Sequence, residues 1–528
     1  MPRPAATMAV PPTVGHEPFS AARMRGSLAW FTAGKAVSAV IGLAWILLLV
    51  RALPVDSYGG YVVLLALLEI VLSVSNLGVY PFAQRYITEA RQLENVVQLP
   101  GLVWKSVLYR ASTLLVSAAL IALAAGPLGG LVGQPQLAAL LGLYTLVIVF
   151  EGMARYIELV FESMLDQGFA QLCAVSRNGL RVLLVAALWS SNSEVTLKQV
   201  VVVEIVASSL GALLALLLLH ASVRRARSAA RQSGAARGFS MRRVASFTLP
   251  MYLAMSLGLL YHPDTLKLLV SRLLGVAEAA AFGFAHTISN VLLRYLPANL
   301  LLGLIRPMLV ARRSRQNSDQ QLMAVANIIL KTNLLLISPV IAVFGIAGYE
   351  VMHIASGGRF DNAWPILFVL TLLLALLGLH VVLSMLATTI ESRSAVLVGT
   401  LVSLPGVLIG VYSAPQLGLL AMGLGLWVSE IMYCIVTLVL IRRCGLAFRV
   451  DWAGWLRIAL AAALAAAAAQ AVLLTFTLST WGRLGVSAVV VSVVYVCLCY
   501  FLSPFSRSEL MMVQELLPSR FRRLRHAR

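Results

Sequence analysis

Apolar residues in this chain run in long, nearly unbroken stretches separated by short polar segments. Stretches of about 20 mostly apolar residues suit helices that cross a bilayer. Candidates lie near 28–50, 60–82, 104–126, 137–160, 170–190 and 198–220, then near 245–270, 278–305, 325–348, 364–388, 394–414, 417–441, 455–476 and 482–503. The pattern predicts an all-α polytopic membrane protein of about 14 transmembrane helices. One polar interruption, 222–244, contains RRARSAARQSGAARGFSMRR and divides six helices from eight. The expected organisation is a disordered basic N-terminus over 1–27, a six-helix bundle over 28–221, a basic cytoplasmic linker over 222–244, a second six-helix bundle over 245–441, two extra helices over 442–503 and a basic cytoplasmic tail over 504–528. The lead contains Pro2, Pro4, Pro11, Pro12 and Pro18, and the apolar run after it is too long for a signal-peptide core.

Composition supports lipid as the main solvent. The 528 residues are 60% hydrophobic and 12% charged, against nearer half and a quarter in soluble domains. Mean hydropathy is +0.89. This excludes an ordinary soluble enzyme and a disordered or fibrous chain. The net charge of +20 would suit nucleic acid in a soluble protein. Here the basic clusters fall between apolar spans, so the positive-inside rule explains them and no nucleic-acid partner is expected. Fourteen spans put both termini on one side. With the termini inside, the clusters Arg224–Arg243, Arg306–Arg315, Arg442–Arg449 and Arg520–Arg528 are cytoplasmic, and only Arg51, Lys198, Arg272, Arg359 and Arg483 are scattered outside. Loops are short, which leaves no room for an appended globular domain. Cys173, Cys434, Cys444, Cys497 and Cys499 lie in or beside apolar segments without metal-ligand spacing. No metal, cofactor or catalytic motif is expected, and the chain reads as a non-enzyme.

An internal repeat is visible. Arg51-Ala52-Leu53-Pro54 followed by Tyr58-Gly59-Gly60-Tyr61 opens the second helix; Arg272-Leu273-Leu274-Gly275 followed by Phe282-Gly283-Phe284 opens the eighth. Both copies run in the same sense, so the repeat is parallel and relates two six-helix bundles. Duplicated bundles with a site between them are common in transporters.

These segments resemble the polysaccharide transporter (Wzx-type flippase) family of the MOP superfamily, related to lipid II flippases and MATE exporters. The resemblance rests on Arg51 to Tyr61, SNLGVYPFAQRYITEAR at 75–91, Asp264 to Gly275, IRPML at 305–309 and GGRFDNAWPIL at 357–367, in family order. Ala285 departs from the family's usual aromatic. The resemblance implies a bacterial inner-membrane protein that flips an undecaprenyl-pyrophosphate-linked oligosaccharide by alternating access, for O-antigen, capsule or exopolysaccharide synthesis. It implies partners of the same pathway: the lipid-linked oligosaccharide, membrane lipid, and a polysaccharide polymerase with other synthesis-complex proteins.

Ionisable groups at membrane depth are expensive, so each is a functional candidate. Lys35 sits in the first helix, either facing a cavity or snorkelling to the interface. Glu69, Ser73, Asn76 and Tyr80 form a stripe at helical spacing on the second. Tyr144, Glu151, Arg155, Glu158 and Glu162 share one face of the fourth, either as an ion-pair ladder or as a headgroup or proton path. Arg177 and Arg181 begin the fifth, as interface anchors or phosphate ligands. Pro263 should kink the seventh helix; Asp264 and Lys267 there are i,i+3 neighbours able to neutralise each other. His286, Asn290 and Arg294 line the eighth, with Arg294 the leading candidate for pyrophosphate unless it pairs with Glu69 or Asp264. His380, Ser384 and Thr388 line the tenth, and Glu430 is alone on the twelfth. Together these give Lys35, Arg155, Arg294, Asn290, Asn76 and Arg181 as substrate-binding candidates and Glu69, Glu151, Glu158, Asp264 and Lys267 as coupling or ion-pair candidates. The cavity is expected to be positive and to open between the halves. The alternatives are a MATE-like cation-coupled drug or organic-cation antiporter, which would want a carboxylate-dominated cavity; a membrane polymerase or ligase, which would want a large outer loop; and a scaffold in a synthesis complex.

Overall fold

A computed structural model describes residues 21–92, 98–164, 166–191, 194–230, 241–296, 318–389, 393–506, 509 and 511. Regular structure among them is helical throughout. The helices are α1 Ala21–Ala52, α2 Val55–Val74, α3 Val79–Phe82, α4 Thr88–Gln92, α5 Leu99–Leu123, α6 Ala125–Leu131, α7 Ala138–Ser163, α8 Gln167–Ser191, α9 Leu197–Ala230, α10 Met241–Gly258, α11 Pro263–Leu273, α12 Val276–Tyr295, α13 Ser318–Ser356, α14 Trp364–Thr389, α15 Arg393–Leu417, α16 Leu419–Arg443, α17 Trp452–Thr475 and α18 Thr480–Leu502. Thirteen spans among the described residues are long and apolar enough to cross a membrane, with α10 and α11 counted together. At the position of the first expected span, α1 contributes a further apolar segment, Val37–Ala52. Leu115, Leu120 and Leu123 on α5 project outward, where lipid solvates them.

Three boundaries differ from expectation for local reasons. The second span does not run unbroken to 82. It stops at Val74, and the chain turns through Leu77 (φ 42°) and Gly78 (φ 85°), a left-handed pair that ends a helix. Arg110 of α5, fully buried, donates to the Ser75 hydroxyl (3.0 Å) and the Leu72 carbonyl (3.1 Å), satisfying the broken end. Asn76 Oδ1 accepts the Tyr80 N–H at 2.8 Å and starts α3. Pro263 does not kink a continuous helix; it begins a new one. His262 is extended (φ −70°, ψ 145°) and caps α11, because the residue before proline avoids the helical region and proline suits the first helical position. The eighth span leaves the helix at Leu296 (ψ 140°), one residue before Pro297; its expected continuation to 305 falls outside the described residues.

In the first half α7 is central, packed by α5, α8 and α9, with α1 on α8. In the second, α13 to α16 pack together, and α17 and α18 pack on each other and on α13. Ala461, Ala465 and Ala469, each fully buried, let α17 approach closely. The repeat glycines meet across the two halves. A Cβ on Gly59 would stand 2.5 Å from Val276, and one on Gly283 would stand 2.4 Å from Val62. So α2 and α12 cross at the positions the repeat marks. Tyr58, Phe284 and Phe360 form a buried aromatic triangle beside that crossing, with ring centroids 5.6 to 6.3 Å apart. Arg359 donates to the carbonyls of Val50 (2.9 Å), Arg51 (3.1 Å) and Leu53, and Arg51 donates to that of Ile354 at 2.7 Å. The end of the bundle holding Arg51 and Arg359 is therefore sealed between the halves. At the end holding the arginine clusters, here the basic end, Tyr86 donates to the Arg243 carbonyl (3.0 Å) and Tyr252 to that of Val74 (2.9 Å).

Candidate functional site

A cavity of about 670 Å³ lies inside the bundle, walled by α1, α2, α7, α8 and α9 on one side and by α11 and α12 on the other. It is where the two halves face each other, as expected. Among the described residues five carboxylates (Glu69, Glu151, Glu158, Glu162, Glu204) and five cations (Arg155, Arg177, Arg181, Lys267, Arg294) line it. The formal charges of these residues cancel, where a positive lining was expected. The physical reason is that cations at membrane depth bring their own counter-charges.

The helical spacing on α7 does what it promised locally. Arg155 Nε reaches Glu151 one turn back at 2.6 Å, and Arg155 Nη1 reaches Glu69 of α2 at 2.7 Å. Glu151, only 1% exposed, also receives Arg181 Nη2 at 2.6 Å and lies 3.1 Å from Arg177 Nε. The Ser208 hydroxyl bridges to the same carboxylate at 3.1 Å. Arg177 holds Glu158 at 2.6 Å. Arg177 and Arg181 are thus buried inside the bundle and are not interface anchors. The ladder is an inter-helix network spanning α2, α7, α8 and α9.

Arg294 is different. It lines the cavity from the last turn of α12 and is exposed within it. It has no ion-pair partner among the described residues: Glu69 holds Arg155, and Asp264 holds Lys267 at 2.7 Å and His262 at 3.0 Å. Asn290, one turn earlier on α12, also lines the cavity. Asn76 lines a smaller adjoining space of about 250 Å³ with Glu69, Ser73, Tyr80 and Arg155. The stripe on the second span therefore stays together although its helix breaks. Lys35 lies in α1, but its side chain is outside the described residues. His380 meets Glu430 at 2.7 Å and stacks on Tyr433 in the second half, away from this cavity.

Reasoning from sequence passed over three groups. Glu204, 2% exposed, accepts the Tyr61 hydroxyl at 3.0 Å; a lone carboxylate in VVVVEIVASS was the available signal. Arg110 was the only charge in the middle of its span. Lys331, 1% exposed, pairs with Asp451 and with Glu509 (2.7 Å), clamping the start of α17 and the chain after α18 onto α13. Among the described residues no group of three or more His, Cys, Asp or Glu side chains is placed to hold a metal.

The described residues form a helical bundle with two crossed halves, sealed at one end around a charged cavity, and solved structures of polytopic transporters share this fold. The chain is similar to lipid II flippase MurJ in an inward closed conformation, with TM-score 0.62, 12% identity, and coverage of 89% of this chain and 98% of that one. It is similar to the MATE multidrug transporter DinF-BH (TM-score 0.56, 14% identity, covering 82% and 97%) and to an inward-facing MATE multidrug resistance transporter of the MOP superfamily (TM-score 0.53, 15% identity, covering 79% and 96%). At these identities the likeness is one of fold. No protein-family model matches the chain, and no curated protein sequence matches it significantly.

Proposed function

We propose that the protein flips an undecaprenyl-pyrophosphate-linked oligosaccharide across a bacterial cytoplasmic membrane by alternating access, with the basic end and both termini cytoplasmic. A sugar headgroup cannot cross roughly 30 Å of hydrocarbon unaided, and a charged cavity between two rocking halves removes that barrier. The observation that carries the reading is Arg294, a guanidinium facing the cavity with no ion-pair partner among the described residues, whereas Arg155, Arg177, Arg181 and Lys267 are each held by a carboxylate. A planar guanidinium suits a pyrophosphate, which it can grip with two hydrogen bonds. The fold's likeness to a lipid II flippase supports a lipid-linked substrate. Asn290 stands beside Arg294 for the same headgroup. Arg155 and Arg181 serve it through the network, and Glu69, Glu151 and Glu158 hold that network ready.

A second reading is a cation-coupled antiporter of organic cations, favoured by the five carboxylates in the lining. Mass spectrometry of lipid-linked oligosaccharides, in cells lacking the protein against cells carrying it, separates the two. The flippase reading expects accumulation of undecaprenyl-pyrophosphate oligosaccharide of finished repeat-unit mass with loss of surface polymer. An unchanged pool and normal surface glycan would move the assignment to the antiporter.

A further inference from the structure

The cavity is graded along its length. Arg294 and Arg155 lie toward the basic end of α12 and α7, whereas Trp45, Tyr61 and Glu204 lie near the sealed end of α1, α2 and α9. Gly283, which lines the cavity at the sealed-end crossing, is eleven residues before Arg294 on α12; at about 1.5 Å per residue the two tiers are separated by about 16 Å. The upper tier is a connected unit. Trp45 Nε1 donates to the Tyr61 hydroxyl at 3.3 Å, and that hydroxyl donates to Glu204 Oε1 at 3.0 Å. The two rings meet edge to face at 6.4 Å, so Trp45 is fixed with its ring bordering the cavity and only half-buried. Glu204 also borders the cavity, and its second oxygen, Oε2, is buried beside the Tyr144 hydroxyl, neither having any other hydrogen-bond partner among the described residues. A sugar hydroxyl or amide N–H reaching this carboxylate would replace the Tyr144 hydroxyl as its donor.

We infer that Trp45 and Glu204 form a saccharide subsite at the sealed end of the cavity, the Trp45 ring stacking on a pyranose face and Glu204 accepting a sugar hydroxyl or amide N–H. This rests on the flippase reading and adds a polarity to it. The lipid tail stays in the bilayer at the basic end, the pyrophosphate sits at Arg294, and the sugar reaches inward by the distance between the tiers. Tyr61 is a positioning residue: it holds both Trp45 and Glu204 in place. Indole rings suit this role because they give apolar contact area with a fixed face, and carboxylates accept hydroxyl donors strongly.

The test uses the full chain in detergent micelles and two lipid probes, undecaprenyl diphosphate alone and undecaprenyl diphosphate carrying N-acetylglucosamine, with tetraphenylphosphonium as an organic-cation control. Binding is read by native mass spectrometry. The wild-type protein should bind the sugar-bearing lipid at least tenfold more tightly. Trp45→Ala and Glu204→Gln should abolish most of that preference while leaving the bare lipid within twofold, which also shows that the variants are folded. Tyr61→Phe, a milder change, should lower the preference severalfold. Arg294→Ala should weaken both lipids alike. Equal wild-type binding of the two lipids would overturn the subsite and leave the flippase reading standing. So would variants at Trp45, Glu204 and Tyr61 that keep the preference or weaken both lipids equally. Loss of tetraphenylphosphonium binding in Trp45→Ala, with lipid binding intact, would reassign the subsite to an organic cation. Failure of the wild-type protein to bind either lipid would remove the flippase reading and this inference with it.

Discussion

Replacing Glu151 with alanine removes the carboxylate at which three guanidiniums meet. The consequences for each can be followed. Arg155 keeps Glu69 at 2.7 Å, and Arg177 keeps Glu158 at 2.6 Å. Arg181 keeps the Ser208 hydroxyl at 2.9 Å and Asn178 at 3.2 Å but loses its carboxylate. The substitution thus strands one buried cation. Breaking a buried pair in this way costs about 3–5 kcal/mol, and the retained contacts place the loss near the lower end, about 3 kcal/mol. Arg294→Ala breaks no ion pair among the described residues, so its cost should stay within about 0.5 kcal/mol. The double variant Glu151→Ala with Arg181→Met should recover most of the loss, because it removes the stranded charge as well. Unfolding free energies of the purified full chain, from detergent-mediated denaturation in mixed micelles, measure all three. The reasoning is refuted if Glu151→Ala unfolds within about 1 kcal/mol of the wild type, where a loss of about 3 is required, or if the second substitution recovers nothing.

The seal gives two further expectations. Arg359→Ala removes the guanidinium that holds three carbonyls of the α1–α2 connection, so a cysteine placed at Thr287 in the cavity should react faster with a membrane-impermeant thiol reagent added from the sealed side; an unchanged rate would show that Arg359 does not hold the seal. Gly283→Val forces side-chain atoms into Val62, which a Cβ alone would approach to 2.4 Å, and should cost about 1–3 kcal/mol by overpacking, read by the same denaturation assay; wild-type stability would mean the crossing is loose. The clamp at α17 gives a pH dependence. Burial pushes the Asp451 carboxyl up, but the Lys331 ammonium and the Gly454 N–H outweigh it and hold the group below the usual carboxylate range. A depressed acid contributes stability above its unfolded pKa and loses it as pH falls through the folded one. Hydrogen-exchange protection at the start of α17, corrected for the intrinsic rate at each pH, should therefore be high at neutral pH and fall selectively in acid, and Asp451→Asn should remove that selectivity.

How much was legible follows from which forces act locally. The spans were readable because about 20 apolar residues in lipid leave the backbone no alternative to helix. The Asp264–Lys267 and Arg155–Glu151 pairs were readable because one helical turn decides them. The break at Leu77–Gly78 was not, since the group that satisfies it, Arg110, comes from another helix. Pro263 announced an interruption, but kink and restart differ only in the conformation of His262. The repeat glycines were visible, whereas their meeting partners, Val276 and Val62, follow from how the halves cross. The charge of the cavity was misjudged for the same reason. Glu69, Glu158 and Glu204 neutralise or border cations supplied by other helices, and which carboxylate meets which cation follows from how the helices pack. Arg294 stood out from sequence and has no ion-pair partner among the described residues because Glu69 and Asp264 are already taken.

The central claim is that this cavity carries a pyrophosphate-linked saccharide from one leaflet to the other, with Arg294 gripping the pyrophosphate. The direct measurement is flipping in vesicles reconstituted with the full chain, loaded with undecaprenyl diphosphate carrying N-acetylglucosamine and sampled by a galactosyltransferase confined to one side. The account predicts that the wild-type protein makes the far-leaflet sugar available to the enzyme and that Arg294→Ala slows this at least tenfold while remaining as stable as the wild type. Vesicles with wild-type protein that expose no more sugar than empty vesicles, or an Arg294→Ala variant that flips at the wild-type rate, would contradict it.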